Sequence, residues 1–239
     1  MRKLVIIFLV LSFPVLSSGQ EKLSLSASDG LEITADFYQA DPFQPYMIFM
    51  HQAGSSRGEY NEIAPRFLKM GYNCLVVDLR SGGEMNYIQN ETANRAKQEN
   101  IPHSMLDARR DVAAAVDYAF KASGKPVILF GSSYSATLAL EEAISDPKIQ
   151  AVIAFSPGEY FPGHSVKETL AGFKKPYFVT GSLDEKPYIE ELLSETNSGS
   201  GTIFSPQERP GRHGASTLWK EEPSSSEYWL ALIMFIRSL

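Results

Sequence analysis

The sequence predicts an α/β protein whose mostly parallel sheet carries helices on both faces. Two observations support this fold class. Short apolar segments alternate with segments of helical periodicity along the chain, as is typical of strands joined by crossover helices. The hydrophobic content of 44% in 239 residues is enough for a sizeable core, and no internal repeat or low-complexity tract divides the chain.

Composition and motifs exclude several function classes. The formal net charge is −6, and the sequence has no basic stripe with interleaved aromatic residues, so we expect no nucleic-acid partner. Metal-ligand spacings, a phosphate loop and a dinucleotide fingerprint are also missing from the sequence. We therefore predict a protein that works without a metal or a cofactor.

The first 19 residues have the basic, apolar and small-residue regions of a secretory signal peptide. We expect cleavage after Gly19, which leaves residues 20–239 as a single domain of a secreted or periplasmic protein. An uncleaved membrane anchor is the alternative. The chain has one cysteine, Cys74, inside an apolar run, so we expect a buried thiol and no internal disulfide.

The predicted elements follow the chain in a regular order. Two alternating segments around Asp29-Gly30 predict an antiparallel hairpin at one edge of the sheet. Apolar runs predict six further strands, over 46–50, 73–78, 127–130, 151–155, 177–180 and 201–204. Helical spacing predicts helices over 60–70, 90–98, 105–121, 136–145 and 227–237. The connection between the strands at 151–155 and 177–180 has the length of an ordinary crossover, so no large lid is expected.

The segment Gly131-Ser-Ser133-Tyr-Ser135 lies between a predicted strand and a predicted helix. A serine at such a turn stands above the carboxyl edge of the sheet, beside the N–H groups that start the helix. Because strand and helix pass close together, the positions two before and two after the nucleophile must be small. Gly131 and Ser135 meet this condition only when Ser133 is the nucleophile. An ordinary glycine-serine turn is the competing interpretation of this pentapeptide alone.

A serine nucleophile needs a histidine to take its proton and a carboxylate to orient that histidine. His213 is the predicted base, because it lies in a glycine-rich loop after the last predicted strand. We favour Asp184 as the acid, since it follows the strand at 177–180, and keep Glu159 as the alternative acid. We interpret Glu185 as a solvated loop carboxylate.

A developing oxyanion needs two preorganised N–H donors. Tyr134, directly after the nucleophile, supplies one from the start of the helix. The loop His51-Gln-Ala-Gly54 follows the third strand and supplies the other; we favour Ala53 and keep Gln52 as the alternative. His51 itself is interpreted as a packed, hydrogen-bonded residue at the end of a strand.

These segments in this order, together with Gly181-Ser-Leu-Asp184 and His213-Gly214, resemble the α/β-hydrolase superfamily, near its dienelactone-hydrolase-like members. The resemblance runs from about Leu23 to the end of the chain. It implies an eight-stranded sheet and an acyl-enzyme formed on Ser133, with Asp184 and His213 as its partners. It also implies oxyanion donors at Ala53 and Tyr134. Dienelactone hydrolases proper use a cysteine nucleophile, so their substrate is not implied.

The sequence thus predicts an exported serine esterase that acts on a small ester or related acyl substrate. We expect the mouth of the site to be walled by residues 80–103 and 156–175. Aromatic side chains that could form its rim are Tyr60, Tyr87, Tyr160 and Phe161. The alternative is a non-catalytic binding protein with the same fold. A serine, an acid and a histidine in the chain order of the superfamily favour the enzyme.

Overall fold

Eight strands form the sheet at the centre of the computed structural model, which describes residues 20–196, residue 199 and residues 201–239. The predicted signal peptide, residues 1–19, lies outside the described residues. The strands are β1 (Gln20–Ser26), β2 (Glu32–Tyr38), β3 (Tyr46–Met50), β4 (Asn73–Val77), β5 (Val127–Ser132), β6 (Ile149–Phe155), β7 (Tyr177–Thr180) and β8 (Gly201–Phe204). Their order across the sheet is β1-β2-β4-β3-β5-β6-β7-β8.

The sheet is parallel except at one edge. β1 pairs with β2, and β2 with β4, in antiparallel register, whereas every other neighbouring pair is parallel. The predicted hairpin at the edge and the mostly parallel eight-stranded sheet are therefore confirmed. All residues of β3, β4 and β5 are buried, because both faces of the sheet are covered. That burial is the physical reason for their continuous apolar runs.

In the described ranges, seven helices cover the two faces of the sheet. They are α1 (Ala64–Lys69), α2 (Glu91–Gln98), α3 (Arg109–Ser123), α4 (Tyr134–Ser145), α5 (Val166–Leu170), α6 (Lys186–Leu192) and α7 (Ser225–Ile236). Helices α1 and α7 pack on one face over an aromatic core that includes Phe49, Phe67, Phe130 and Trp229. Helices α2 to α6 contribute to the core on the other face. None of the helices in these described ranges is long and apolar enough to cross a membrane.

Two predicted helices are preceded by 3-10 turns that the sequence did not predict. Within the helix predicted over 60–70, only α1 is helical; it has Pro65 in its first turn, and a 3-10 turn, Arg57–Tyr60, precedes it. The helix predicted over 105–121 starts with a 3-10 turn and continues to Ser123, where Gly124 ends it with a φ of 66°. Both differences concern helix ends, where local hydrogen bonding rather than apolar spacing decides the conformation.

Two connections shape the surroundings of the site. Between β6 and β7 the five residues of α5 form the only helix, in agreement with the expected lack of a large lid. Between β4 and α3, a short hairpin of Glu84–Met85 and Ile88–Gln89 precedes α2. Cys74 is buried in β4 as predicted, and this burial raises the pKa of its thiol.

Candidate active site

Ser133 occupies a strained turn between β5 and α4. Its φ is 59° and its ψ −125°, a conformation that a residue other than glycine rarely adopts. A Cβ atom on Gly131 would lie 2.5 Å from the backbone N and Cα of Ala136, so only glycine allows strand and helix to approach this closely. The turn has the geometry of a nucleophile elbow, as predicted.

Ser135, which replaces the second glycine of the usual motif, is part of the same turn. Its hydroxyl accepts a hydrogen bond from the Ser132 N–H at 2.9 Å and lies 2.7 Å from the Met50 carbonyl oxygen, to which it donates. The side chain therefore ties the elbow to the end of β3. The substitution of glycine by serine adds contacts to this turn.

Ser133, His213 and a carboxylate form a hydrogen-bonded chain. The Ser133 Oγ and His213 Nε2 atoms are 2.8 Å apart, and the His213 Nδ1 and Glu185 Oε1 atoms are 2.6 Å apart. Because an ionised carboxylate only accepts, Nδ1–H donates to Glu185 and Nε2 is left to accept from the serine hydroxyl. This is the tautomer that a general base needs.

The carboxylate beside His213 belongs to Glu185, and the prediction of Asp184 as its partner is wrong. After β7, Ser182 caps a 3-10 turn, Leu183–Glu185, and the Glu185 side chain folds back onto the cap, accepting from the Ser182 N–H at 2.7 Å. The same fold turns Asp184 outward, where it is exposed. A Cβ atom on Gly181 would lie 2.5 Å from Glu185 Oε2, so this glycine leaves the space for the carboxylate.

A sequence signal for Glu185 was present in the chain. Serine followed three residues later by glutamate is the capping-box pattern, and its glutamate points back toward the start of the turn. Here the start of the turn is the carboxyl end of β7, which lies at the site. The alternative acid, Glu159, is exposed and accepts from the N–H groups of Val166 and Lys167 at 2.7 and 2.9 Å. The structure thus places Glu159 at the start of α5 and away from the histidine.

Ser156 joins Glu185 to the segment around His213, a role that no sequence motif predicted. Its hydroxyl donates to Glu185 Oε2 at 2.7 Å and accepts from the Gly214 N–H at 2.8 Å. Ser156 directly follows β6 and has a φ of 55°, which aims its side chain at these two partners. No local motif marks this serine, because both partners come from distant parts of the chain.

In the hydrogen-bonded chain, His213 and Glu185 shift each other's pKa. The hydrogen bond with Glu185 raises the pKa of His213 against the opposing effect of burial. Burial would raise the pKa of Glu185, but the hydrogen bonds from His213 and Ser156 outweigh it and hold this pKa below its ordinary value. The pair therefore favours a charged carboxylate next to a basic imidazole.

The loop after β3 is organised by His51, which is fully buried. Its Nδ1–H donates to the Gln52 carbonyl oxygen at 2.8 Å, and its Nε2 accepts from the Leu79 N–H at 2.9 Å. Burial lowers the pKa of His51, so the ring is neutral in this tautomer. The predicted packed, hydrogen-bonded role of His51 is confirmed.

The structure distinguishes between the two predicted oxyanion donors in this loop. The Gln52 N–H donates to Glu59 Oε2 at 2.8 Å, so it is not available to a substrate. Ala53 is exposed at the tip of the loop and stays the predicted donor. Tyr134 is the first residue of α4, where an N–H has no partner within the helix.

Glu59 is a second carboxyl group at the site and, like Ser156, was not predicted from the sequence. It is fully buried in the 3-10 turn before α1 and accepts from the Ser132 hydroxyl at 2.6 Å. Burial raises the pKa of Glu59 to about 7. No pattern in its own segment indicates this position, since Ser132 is 73 residues away in sequence.

An apolar pocket of about 520 Å³ has Tyr160, a neighbour of Ser133, in its lining. Its lining is Ser81, Ser104, Met105, Leu106, Tyr160, Phe161 and Pro162. The Tyr160 phenol lies beside Ser133 and donates to the Ser156 carbonyl oxygen at 2.8 Å, so this side chain connects pocket and nucleophile.

The four aromatic residues predicted for the rim have different positions. Tyr160 and Phe161 line the pocket. Tyr60 instead is buried and donates to the Met50 carbonyl oxygen at 2.7 Å, and Tyr87 is 99% exposed. In the ranges that the structure describes, no group of three or more histidine, cysteine, aspartate or glutamate side chains could hold a metal ion.

The fold matches those of solved esterases and of a dienelactone hydrolase. An esterase from Pyrococcus furiosus superposes with a TM-score of 0.67 at 17% identity, over 93% of this chain and 92% of that one. A dienelactone hydrolase from Anabaena variabilis superposes with a TM-score of 0.69 at 18% identity, over 92% of this chain and 97% of that one. An esterase domain from Rhodothermus marinus superposes with a TM-score of 0.63 at 12% identity, over 92% of this chain and 98% of that one.

The chain therefore has the α/β-hydrolase fold, and its likeness to a dienelactone hydrolase agrees with the resemblance noted in the sequence. No protein-family model matches the chain. No curated protein matches it in sequence.

Proposed function

We propose that the protein is a serine hydrolase that cleaves carboxylic esters through an acyl-enzyme on Ser133. The observation that carries this proposal is the chain of two hydrogen bonds, 2.8 Å from Ser133 to His213 and 2.6 Å from His213 to Glu185. A non-catalytic binding protein would not need a serine in a strained turn, a basic imidazole aimed at it and a carboxylate behind that imidazole.

In the first half of the reaction, Ser133 Oγ attacks the ester carbonyl carbon while His213 Nε2 takes the hydroxyl proton. Glu185 stabilises the imidazolium that forms. The N–H groups of Tyr134 and Ala53 hold the oxyanion of the tetrahedral intermediate. When the C–O bond breaks, His213 gives its proton to the departing alcohol, and the acyl group stays on Ser133.

The second half uses the same groups in the same order. His213 takes a proton from a water molecule, whose oxygen attacks the acyl carbon of the ester formed on Ser133. The intermediate then expels the Ser133 oxygen, which takes the proton back from His213. The products are a carboxylic acid and an alcohol, and the protein is unchanged.

The pocket that Tyr160 connects to Ser133 supports esters with an apolar acyl or alkyl group. Its walls are mainly apolar, with Met105, Phe161 and Pro162 among them, and its volume of about 520 Å³ suits a small organic group. A charged group there would lose its hydration without gaining an ionic partner. We therefore infer that uncharged esters are preferred over charged ones.

We also propose that the enzyme is exported and that residues 20–239 are its mature form. The basis is the signal-like composition of residues 1–19. Expression of the full chain in a secreting host, followed by N-terminal sequencing of the product, tests this. A mature protein that begins near Gln20 supports export, and an intact N-terminus contradicts it.

Hydrolysis of p-nitrophenyl esters from acetate to decanoate tests the activity. We expect turnover by the wild-type protein and a loss of at least about 10³-fold in kcat for Ser133→Ala. Phe161→Ala should change the dependence on chain length, because it alters the pocket and leaves the hydrogen-bonded chain intact. Wild-type protein that is folded but hydrolyses none of these esters would contradict the proposal.

A further inference from the structure

We propose that Glu59 is a positioning residue that joins the three segments of the site: the oxyanion loop (51–54), the nucleophile elbow (131–135) and the histidine segment (211–215). The inference rests on the proposed function, since it assigns Glu59 a role in the reaction at Ser133. Glu59 itself does not touch the reacting atoms in this role. It acts through the backbone and hydroxyl groups that it binds.

The contacts of the Glu59 carboxyl group reach all three segments. Oε2 accepts from the Gln52 N–H at 2.8 Å, and Oε1 accepts from the Ser132 hydroxyl at 2.6 Å. The Ser132 oxygen in turn accepts from the Ala215 N–H at 2.9 Å. One side chain thus holds the residue before the predicted donor Ala53, the residue before the nucleophile, and a residue close to the base.

The backbone of Glu59 is held as firmly as its side chain. Its carbonyl oxygen accepts from the Trp219 indole N–H at 2.9 Å. Two residues earlier, the buried Arg57 forms ion pairs with Asp36 at 3.1 Å and Asp78 at 2.5 Å, and the Arg57 N–H also donates to Asp78. The 3-10 turn therefore presents the carboxyl group from a rigid support.

Burial without a cation makes Glu59 costly to keep for stability alone. Arg57, the nearest basic residue in the sequence, is already paired with carboxylates other than Glu59. In the part of the chain that the structure describes, Glu59 takes part in no salt bridge, and its hydrogen-bond donors, Gln52, Ser132 and Ser55, are all neutral. A buried carboxyl group with neutral donors and no cation in contact with it is less favourable than an apolar side chain of similar size. Its contacts with the catalytic segments give a reason for its presence.

The donors Gln52 and Ser132 determine the protonation state in which the carboxyl group holds the segments. Ser132 already accepts from Ala215, and its one proton goes to Oε1. Gln52 has only an N–H to offer, so Oε2 must accept. The ionised carboxylate satisfies both donors at once. A proton on Oε1 would face the Ser132 hydroxyl proton, so Ser132 would have to re-aim its hydroxyl and give up its donation to Glu59.

The ionised form also acts on the base. The titratable groups that face Glu59 are His213 from the histidine segment, Tyr60 from its own turn and Tyr134 from α4. Of these, His213 becomes positively charged during the reaction. The negative charge of Glu59 favours that form and contributes to the raised pKa of His213.

Glu59→Gln, assayed with a p-nitrophenyl ester, tests the role, because glutamine keeps the shape and one acceptor but removes the charge and the second acceptor. We expect kcat to fall by roughly tenfold to a hundredfold, as for a weakened oxyanion site, with KM changed by less than about threefold. The acid limb of the profile of kcat/KM against pH should move to lower pH. A change of packing alone would not move this limb.

Glu62→Gln is the matched control, since Glu62 is an exposed carboxylate three residues along the chain. We expect its kcat, KM and pH profile to match those of the wild type. If Glu59→Gln does not fold, Ser132→Ala removes the elbow contact of the same carboxyl group and should lower kcat in the same direction.

The outcomes separate this inference from the proposed function. Wild-type hydrolysis that is lost in Ser133→Ala, combined with wild-type kcat and an unmoved acid limb in a folded Glu59→Gln, overturns the positioning role alone. A folded wild-type protein without ester hydrolysis overturns the proposed function and, with it, the role of Glu59. A fall in kcat together with a moved acid limb supports both.

Discussion

Two glutamates flank the nucleophile, and their surroundings give them different properties. Glu185 is 25% exposed and accepts from His213, Ser156 and Ser182, whose hydrogen bonds hold its pKa below the ordinary value. Glu59 is fully buried, and burial raises its pKa to about 7. The same side chain is thus a permanent anion at one end of the site and a titrating group at the other.

The difference shows how one residue type can serve two purposes within a single site. A carboxylate that orients a histidine must stay ionised over the whole working range of pH, which the charge-assisted hydrogen bond to His213 secures. A carboxyl group behind the nucleophile can hold backbone segments, but its hold depends on pH. Substitutions that remove one carboxylate at a time test this division.

The largest effect is expected from Glu185→Gln. The oxygen of glutamine would keep the contacts with Ser156 and Ser182, which leaves its NH₂ group facing His213 Nδ1. His213 would then carry its proton on Nε2 and could not accept from Ser133. We expect kcat to fall by about 10³-fold to 10⁴-fold, measured by steady-state hydrolysis of a p-nitrophenyl ester.

Asp184→Asn is the control for this substitution, because the neighbouring carboxylate is exposed. Its activity should stay within about twofold of the wild type. A large loss in Asp184→Asn, together with near-normal activity in Glu185→Gln, would restore Asp184 as the acid.

The pH dependence of wild-type activity should show the effect of the Glu185 carboxylate on the pKa of His213. His213 acts as a base only when neutral, and its pKa is raised above the ordinary value of 6.5. Activity is therefore lost as pH falls through a midpoint above 6.5 in the profile of kcat/KM against pH. A wild-type midpoint below 6.5 would contradict the assigned pair.

The pH dependence of the free energy of unfolding should show the raised pKa of the buried Glu59 carboxyl group. The pKa of Glu59 rises from an ordinary value of 4.5 to about 7 on folding, so its contribution to stability is present below pH 4.5 and is lost as pH rises through 7. Glutamine does not titrate. The free energy of unfolding of Glu59→Gln, relative to wild type, should therefore increase by about 2 kcal/mol between pH 5 and pH 8.

Urea denaturation of both proteins at several pH values measures this change. Glu62→Gln supplies the comparison for an exposed carboxylate and should show a difference that is nearly independent of pH. If the difference in the free energy of unfolding between Glu59→Gln and wild type is also independent of pH, Glu59 does not have a raised pKa in the folded protein.

The smallest effect is expected from Ser156→Ala. This substitution removes one of three hydrogen bonds to the Glu185 carboxylate and the partner of the Gly214 N–H, but it leaves the contact with His213. We expect kcat to fall by roughly threefold to tenfold. Activity as low as that of Glu185→Gln would show that Ser156, and not the capping turn, positions the acid.

Much of the fold was predictable because burial leaves a strong pattern in the chain. The strand at 46–50 was predicted with its observed bounds, since a strand covered on both faces is a continuous apolar run. Helix ends were less predictable, as at 57–70, where a 3-10 turn precedes α1. Such ends depend on individual hydrogen bonds.

The candidate site was predictable where a local motif exists. Ser133 and His213 come together as expected, because each lies in a recognisable turn at the carboxyl edge of the sheet. Choosing between Asp184 and Glu185 required the direction of one short turn, which the capping box at Ser182 determines. Glu59 could not be predicted, since its contacts depend on which distant segments the sheet order brings together.

The identity of the nucleophile can be tested chemically. Purified mature protein would be treated with a fluorophosphonate, with Ser133→Ala and His213→Ala beside it, and the modified peptide located by mass spectrometry. We predict a single adduct on Ser133 in the wild type and no adduct in either variant. Folded wild-type protein that stays unmodified, or that carries its adduct on Ser132 or Ser135, would contradict the assignment of Ser133 as the activated serine.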